Sequence, residues 1–402
     1  MKHAERNLAK RFDSPDRNAR FTDLVYGYDG RAPEAVRREM RQSVEAFYPE
    51  ANRYRLLFGD LHGHTSLSDG RVDVDTFFRN LRDLAKVDFC ALSDHDHGGV
   101  GRAPLWAIDP DTGLSKWDIN LKKADEYNVP GRFTTLPAYE RDSYPWFSNM
   151  VIYYRSTRNA RMFRGARDGE ITARELERLY EREDVLYGPH TCGMVSPGCD
   201  LNGREAAHMP KTFEIFSRGG AYEYYDNPFP APSGIRGCGY IDALENGAHP
   251  ACIACSDDHE GCGGRDIPGR EWGYTGMTGV YAEDNTRTAI FDALKARRCY
   301  AFMGEKRVVI DFRINGRYMG EIFREDGDKR SIYFSIGGET PAARVDIIKN
   351  GRSVAFFRDC QRELLFDYTQ ERAEDYYYLR VLLKDGRYAW TSPIWVQDKR
   401  IK

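Results

Sequence analysis

Residues 73–97, DVDTFFRNLRDLAKVDFCALSDHDH, decide how the chain is read. Phe77, Phe78, Leu81, Leu84 and Ala85 fall at helical spacing, which predicts an amphipathic helix with those side chains turned inward. The apolar run VDFCAL follows at once and predicts a strand, and that strand delivers Asp94, His95, Asp96 and His97 into a glycine-rich loop. Four consecutive ionisable residues make a poor core and a good cleft rim. A helix feeding a strand with chemistry at its far end is the repeating unit of an α/β domain.

The same grammar recurs on either side. Thr172 and Glu175 are spaced as a capping box before Leu176, Leu179 and Tyr180, and the strand VLYG comes next. Ala243 and Leu244 precede Gly247 as a helix stop, and then comes the apolar run ACIAC. Residues 56–305 therefore read as an α/β domain with a largely parallel sheet or barrel. Residues 1–55 are charged and weakly periodic, with one helix expected over APEAVRREMRQSVEAF, and read as an N-terminal extension. From 306 to 402 the period changes to two, as in Ile332, Phe334 and Ile336, or Tyr377, Leu379, Val381 and Leu383. The hairpin dipeptides Asn315-Gly316, Asn350-Gly351 and Asp385-Gly386 separate these strands, which predicts a small antiparallel β-sandwich.

Composition bounds the function. Of 402 residues 30% are charged, with 59 Lys+Arg against 62 Asp+Glu, so the chain is globular and no basic surface invites nucleic acid or an anionic membrane. The N-terminus MKHAERNLAKRF lacks the apolar core of a signal peptide, and no stretch approaches the roughly 18 apolar residues of a membrane span, so a cytoplasmic protein is expected. Nine scattered cysteines suit reduced thiols better than a disulfide framework, and Cys252 and Cys255 read as small buried strand residues.

Six of the nine histidines fall in four short segments, each at the end of a predicted strand. LLFGDLHGHTSLSDG carries His62 and His64 at i and i+2, able to meet one ion from an extended chain, with Asp69 five residues on. The second segment supplies His95. RFTTLPAYE ends in Glu140, whose carboxylate could bridge two ions; VLYGPH ends in His190; ACIACSDDH supplies Asp257 and His259. Taken singly, each is more often a solvated loop residue or a cap. Together, at the ends of successive strands, they converge on one site and predict metal binding.

HGHTSLSDG, ALSDHD, Glu140, His190 and Asp257-x-His259 resemble, in order and spacing over about 200 residues, the signature segments of the PHP (polymerase and histidinol phosphatase) superfamily. The remainder, including YAEDNTRTAIFDALKARRCYA and AWTSPIWV, is similar to a PHP-like subfamily of unknown function. The resemblance implies a distorted (β/α)7 barrel, two or three zinc, manganese or iron ions, and hydrolysis of phosphate esters. Carried over, it implies that His62, His64, Glu140 and Asp257 hold one ion and Asp69, His95 and His259 another. A middle ion would be bridged by Glu140 and bound by His190 and by a histidine shortly after the glutamate. Phe147, in Trp146-Phe147-Ser148-Asn149, stands where similar proteins carry that histidine.

The expected chemistry is metal-assisted hydrolysis of a small anionic molecule, two ions acidifying a water and neutralising phosphoryl charge. Asp94, Asp96 and His97 flank a ligand and are candidates for proton donation, or equally for orienting the ligating imidazoles. Arg141, Arg218, Arg265 and Arg270 follow site segments and are candidates for anion recognition, and Glu214 ends a strand facing the site. Cleavage of an amide, lactone or sugar C–O bond by the same water is the second enzymatic reading. A metal-stabilised binding protein is the non-catalytic one.

Overall fold

The computed structural model describes residues 54–99, 101–142, 149–162, 185–191, 211–230, 236–267, 273–325 and 329–398. The helices expected near 32–47 and 172–180, as well as Tyr144, Trp146, Phe147 and Arg270, lie outside the described residues.

Among the described residues the first part has ten strands: β1 (Arg55–Asp60), β2 (Phe89–Leu92), β3 (Thr134–Arg141), β4 (Met150–Tyr154), β5 (Val185–Pro189), β6 (Thr212–Ser217), β7 (Gly220–Ala221), β8 (Ala251–Ala254), β9 (Gly276–Ala282) and β10 (Cys299–Met303). Its helices are α1 (Val74–Arg79), α2 (Lys116–Tyr127), α3 (Tyr240–Glu245) and α4 (Arg287–Lys295). β1, β2 and β3 pair in parallel, as do β6 and β8. Side chains alternate between two buried faces. Phe89, Ala91, Leu136 and Ala138 enter one cluster, with Val151, Ile253 and Val280, while Cys90, Leu92 and Tyr139 enter another, against α1 and α2.

A uniform (β/α)7 repeat does not describe this sheet. β3 and β4, β4 and β5, β1 and β9, and β9 and β10 are all antiparallel. Alternation of apolar runs and helices fixes the order of elements but not their direction. A parallel return needs a crossover of about a dozen residues; only 142–149 separate β3 from β4. β10 starts opposite the end of β9, Cys299 facing Val280, so the two strands run antiparallel with α4 between them in sequence.

Helix α1 begins at Asp73, whose side chain accepts the Thr76 N–H, and it buries Val74, Phe77 and Phe78 as the spacing predicts. Leu84 departs from the expectation. The helix widens into a π-turn over Asn80–Leu84, the Ala85 N–H bonding the Asn80 carbonyl, and this rotates Leu84 out to 54% exposed. Cys252 and Cys255 are buried free thiols.

After residue 306 one sheet joins Arg317–Tyr318, Val308–Ile314, Arg330–Gly338 and Arg362–Asp367. The facing strands, Ala342–Lys349, Arg352–Arg358 and Glu374–Leu383, continue through Tyr388–Thr391 into β10, so one continuous sheet runs from the C-terminal part into the first. Glu374–Leu383 is buried on both faces: Tyr377, Leu379, Val381 and Leu383 enter the C-terminal core, while Tyr376 and Tyr378 pack with Tyr240, Trp390 and Trp395. Asn315-Gly316 and Asn350-Gly351 take positive φ at both residues, the geometry of tight hairpin turns. Among the described residues no helix is long and apolar enough to cross a membrane.

Candidate metal centre

The parallel strands put their carboxyl ends side by side, and the ionisable segments sit there. Beyond β1 the chain stays extended and pairs with the segment beyond β8. The Asp257 N–H donates to the His62 carbonyl at 3.0 Å and the His64 N–H to the Asp258 carbonyl at 2.8 Å. Gly63 lies between the two histidines, where a Cβ would stand 2.7 Å from the Phe77 ring, so only glycine lets this segment lie on α1. Asp257 is held at φ 51°, a left-handed conformation that aspartate tolerates better than bulkier residues. β2 and β3 extend likewise, the Asp96 N–H donating to the Glu140 carbonyl at 2.8 Å, which sets His95 beside Glu140.

Four atoms converge at the centre. His62 Nε2 lies 3.1 Å from His64 Nε2, 3.2 Å from Glu140 Oε2 and 3.5 Å from Asp257 Oδ1. His64 Nε2 lies 3.2 Å from each of the same two carboxylate oxygens. Ligands at about 2.0–2.1 Å from a tetrahedral ion stand about 3.3–3.4 Å apart, which is the spacing of this cluster. The His62 Nδ1 faces Glu214 Oε2 at 3.0 Å, so its proton belongs on that side and the Nε2 presents a bare lone pair to three other acceptors. Lone pairs aimed at lone pairs in a buried site call for protons or a cation between them, and the residues present fit a cation.

A second group lies on the solvent side. His259 Nε2 is 3.2 Å and His95 Nε2 3.8 Å from Asp69 Oδ1, and the His64 ring stacks between them, its centroid 4.5 Å from His95 and 4.1 Å from His259. On the inner side, His190 Nε2 approaches Glu140 Oε1 at 2.6 Å. Glu140 therefore serves both oxygens, one to the histidines of the first cluster and one to His190. His62, His64, Asp69, His95, Glu140, His190, Asp257 and His259 thus form one continuous cluster, and two groupings within it, His64–Asp69–His95–His259 and His62–His64–Glu140–Asp257, have the spacing of metal sites.

Without a cation the imidazoles are the counter-charges. Burial raises the Glu140 carboxyl, but the charges of His95 and His190 outweigh it and hold the group well below the carboxylate range. Burial likewise raises Asp69, and the hydrogen bond and charge of His259 bring it down to about 2. Burial depresses His95, yet Glu140 and Asp142 lift it to about 10, and His62, His190 and His259 are raised in the same way by their carboxylates.

The flanking residues divide. Asp94 accepts four hydrogen bonds, from Thr65 N–H (2.8 Å), Thr65 Oγ1 (2.7 Å), Ser68 N–H (3.1 Å) and Ser68 Oγ (2.5 Å). Through these bonds Asp94 braces the loop that carries Asp69. Asp96 Oδ1 accepts from His97 Nδ1 at 2.8 Å and from the Asp142 N–H at 3.1 Å, and His97 packs edge-on to Trp106. Of the arginines, Arg218 lies at the rim, exposed, with Nη1 2.8 Å from His259 Nδ1. Arg141 is buried and follows Glu140 directly, so the alternation of β3 turns it to the opposite face. The Arg265 N–H closes a turn onto the Cys262 carbonyl, and no contact among the described residues joins it to the cluster.

Two residues outside the expected set contribute. Asp142 Oδ1 is 2.9 Å from His95 Nδ1, and Asp60 ties the end of β1 to the Ser256 and Gly264 N–H groups at 3.0 Å each. Both carried a sequence signal: each stands two residues from a ligand, Asp142 after Glu140 and Asp60 before His62.

A family described as a protein of unknown function, DUF3604, matches residues 248–325, the stretch with β8, Asp257, His259, β9, α4 and β10. An uncharacterised protein of Chlamydia pneumoniae is 25% identical over 377 residues, covering 85% of this chain and 57% of its own length. One from Chlamydia muridarum is 23% identical over 373 residues with the same coverage. The chain thus spans 57% of the length of the curated relatives it matches. Among solved structures, a two-domain protein of Bacteroides vulgatus described as containing a "predicted PHP-like metal-dependent phosphoesterase" is 13% identical with a TM-score of 0.43, covering 82% of this chain and 92% of that one.

Proposed function

We propose that this chain is a metal-dependent hydrolase of a small anionic substrate, a phosphate ester before any other. The observation that carries the reading is the convergence of His62, His64, Glu140 and Asp257 through four acceptor atoms 3.1–3.5 Å apart. A structural zinc site closes with four ligands. Here Glu140 shares its second oxygen with His190, and Asp69, His95 and His259 continue the cluster toward solvent, as a working centre of more than one ion requires. Imidazole and carboxylate donors together suit zinc, manganese or iron better than magnesium.

Divalent ions bound here would polarise a phosphoryl oxygen and acidify a water. The chain's own residues do the rest. Glu140 couples the two halves of the cluster, Asp94 fixes the loop that presents Asp69, and Arg218 at the rim supplies a guanidinium to an incoming anion. With a net charge of −3 and no basic track, the substrate is a small molecule rather than a nucleic acid. Plasma mass spectrometry of the reconstituted protein should give about two ions per chain. Generic phosphoesters should be hydrolysed by the wild type and not by His64→Ala. Fewer than one ion per chain, or activity that survives His64→Ala, sinks the reading.

A further inference from the structure

Glu214 is a buried carboxylate that faces two of the candidate ligands from behind. It sits in β6, 2% exposed, below the cluster. Its Oε2 is 3.0 Å from His62 Nδ1. Among the described residues its Oε1 has no hydrogen-bond partner, and neither does His190 Nδ1; these two buried atoms face each other at 3.8 Å. The two rings meet edge to face with centroids 4.5 Å apart, so one carboxylate spans both Nδ1 atoms. On the opposite side of the rings, both Nε2 atoms point at Glu140, to Oε2 at 3.2 Å and Oε1 at 2.6 Å.

We propose that Glu214 is a dual positioning residue, whose two oxygens hold His62 and His190 with the proton on Nδ1, so that both Nε2 lone pairs are presented to separate ions on either side of Glu140. The proposal rests on the metal-centre reading above and extends it. A neutral imidazole has one N–H, and the group that accepts it decides which nitrogen is left to ligate. A carboxylate accepts at both oxygens; closing the His190 gap by about 1 Å gives an ordinary hydrogen bond. An apolar neighbour at this depth would leave either tautomer open. An amide would accept from one ring and donate to the other, forcing the second ring to protonate the ligating nitrogen.

Glu214→Gln therefore discriminates, because it preserves volume and removes only one of two acceptors. The full chain, wild type and variant, is loaded with zinc and then competed with a chelator across a pH series. The expected result is that the variant keeps one ion at wild-type affinity and binds the other about 10- to 100-fold more weakly, with the pH midpoint for that ion moved upward. Unchanged loading and pH dependence, or equal loss of both ions, overturns the proposal. If the variant fails to fold by circular dichroism, long-range nitrogen–proton spectra of the zinc-loaded wild type decide: both His62 and His190 should carry the proton on Nδ1, and an Nε2–H on either overturns it. A wild type that binds no metal defeats the metal-centre reading itself; a wild type that binds metal beside an indifferent Glu214→Gln defeats only this inference.

Discussion

Two of the places where the described residues bury charge are treated in opposite ways. In the C-terminal part Lys349, 0% exposed, donates from Nζ to Asp367 Oδ2, the Thr369 carbonyl and Thr369 Oγ1, each at 2.8 Å. Asp367 also accepts from Tyr377 Oη and the Thr369 N–H, and Asp375 from Asn350 Nδ2 and the Arg372 N–H. Each of these donors meets an acceptor. At the carboxyl ends of β1, β3 and β8 the reverse holds: acceptors meet acceptors, and only protons or a cation relieve them. Both clusters have buried charged groups at their centres. A satisfied buried network holds a fold, while one in which acceptors crowd together marks a place where something binds.

Paired substitutions sharpen this contrast most. Lys349→Met strands two carboxylates in a dry sheet and should cost about 3–5 kcal/mol, read as a lowered denaturation midpoint, with metal content unchanged in the protein that remains folded. Asp257→Ala removes one of the mutually opposed acceptors. In chelator its stability should stay within about 1 kcal/mol of wild type, while metal content falls. If Asp257→Ala proves as destabilising in chelator as Lys349→Met, the centre is a structural network and the contrast collapses.

The two regions should also answer pH in different windows. In the metal-free protein His95 is raised from 6.5 to about 10, and His62, His190 and His259 are raised as well. Groups raised on folding add stability that is complete below the unfolded value near 6.5 and is lost as pH climbs through the folded value. Burial raises Asp367, but Lys349 outweighs it and the group ends lowered, so its contribution is present above 3.8 and is lost as pH falls. The melting temperature of the chelated protein should therefore decline from pH 6.5 to 10, where metal-loaded protein is flat, because bound ions have already displaced those protons. Both forms should weaken in acid. A flat alkaline limb in chelator would mean that the imidazoles carry no such protons.

How much of this was legible before the structure follows from the same physics. The ligand segments could be read because they follow apolar runs: a strand ends where its hydrophobic pattern ends, and His62, His95, Glu140 and Asp257 stand at such ends. Hairpins such as Asn350-Gly351 could be read because few residues adopt two successive positive φ values. Strand direction could not, since β4 and β9 carry the same apolar signature whichever way they run. The continuity of the two parts was hidden too, because β10 and Tyr388–Thr391 are 84 residues apart from the end of one to the start of the other, and pairing at that distance leaves no local mark. Leu84 was misplaced because helical spacing assumes 3.6 residues per turn, which the π-turn breaks.

The smallest expected effect lies at the edge of the centre, where the two kinds of network meet. Asp142 is 30% exposed at its side chain, bonds His95 Nδ1 at 2.9 Å and accepts Asn149 Nδ2 at 3.1 Å, while its N–H is tied to Asp96. It is a satisfied residue acting on an unsatisfied one: by accepting at Nδ1 it leaves the His95 Nε2 facing Asp69 and His259. Asp142→Asn keeps shape and lets the amide oxygen accept the same proton, but it removes a negative charge that helps hold His95 protonated in the metal-free protein. Losing the charge weakens proton and metal alike at that imidazole, and the two losses partly cancel. Metal affinity in the Asp69–His95–His259 group should fall by no more than about 10-fold, with no change at the His62–His64 group, as chelator competition can resolve. A drop in both groups would place Asp142 among the ligands instead of behind one.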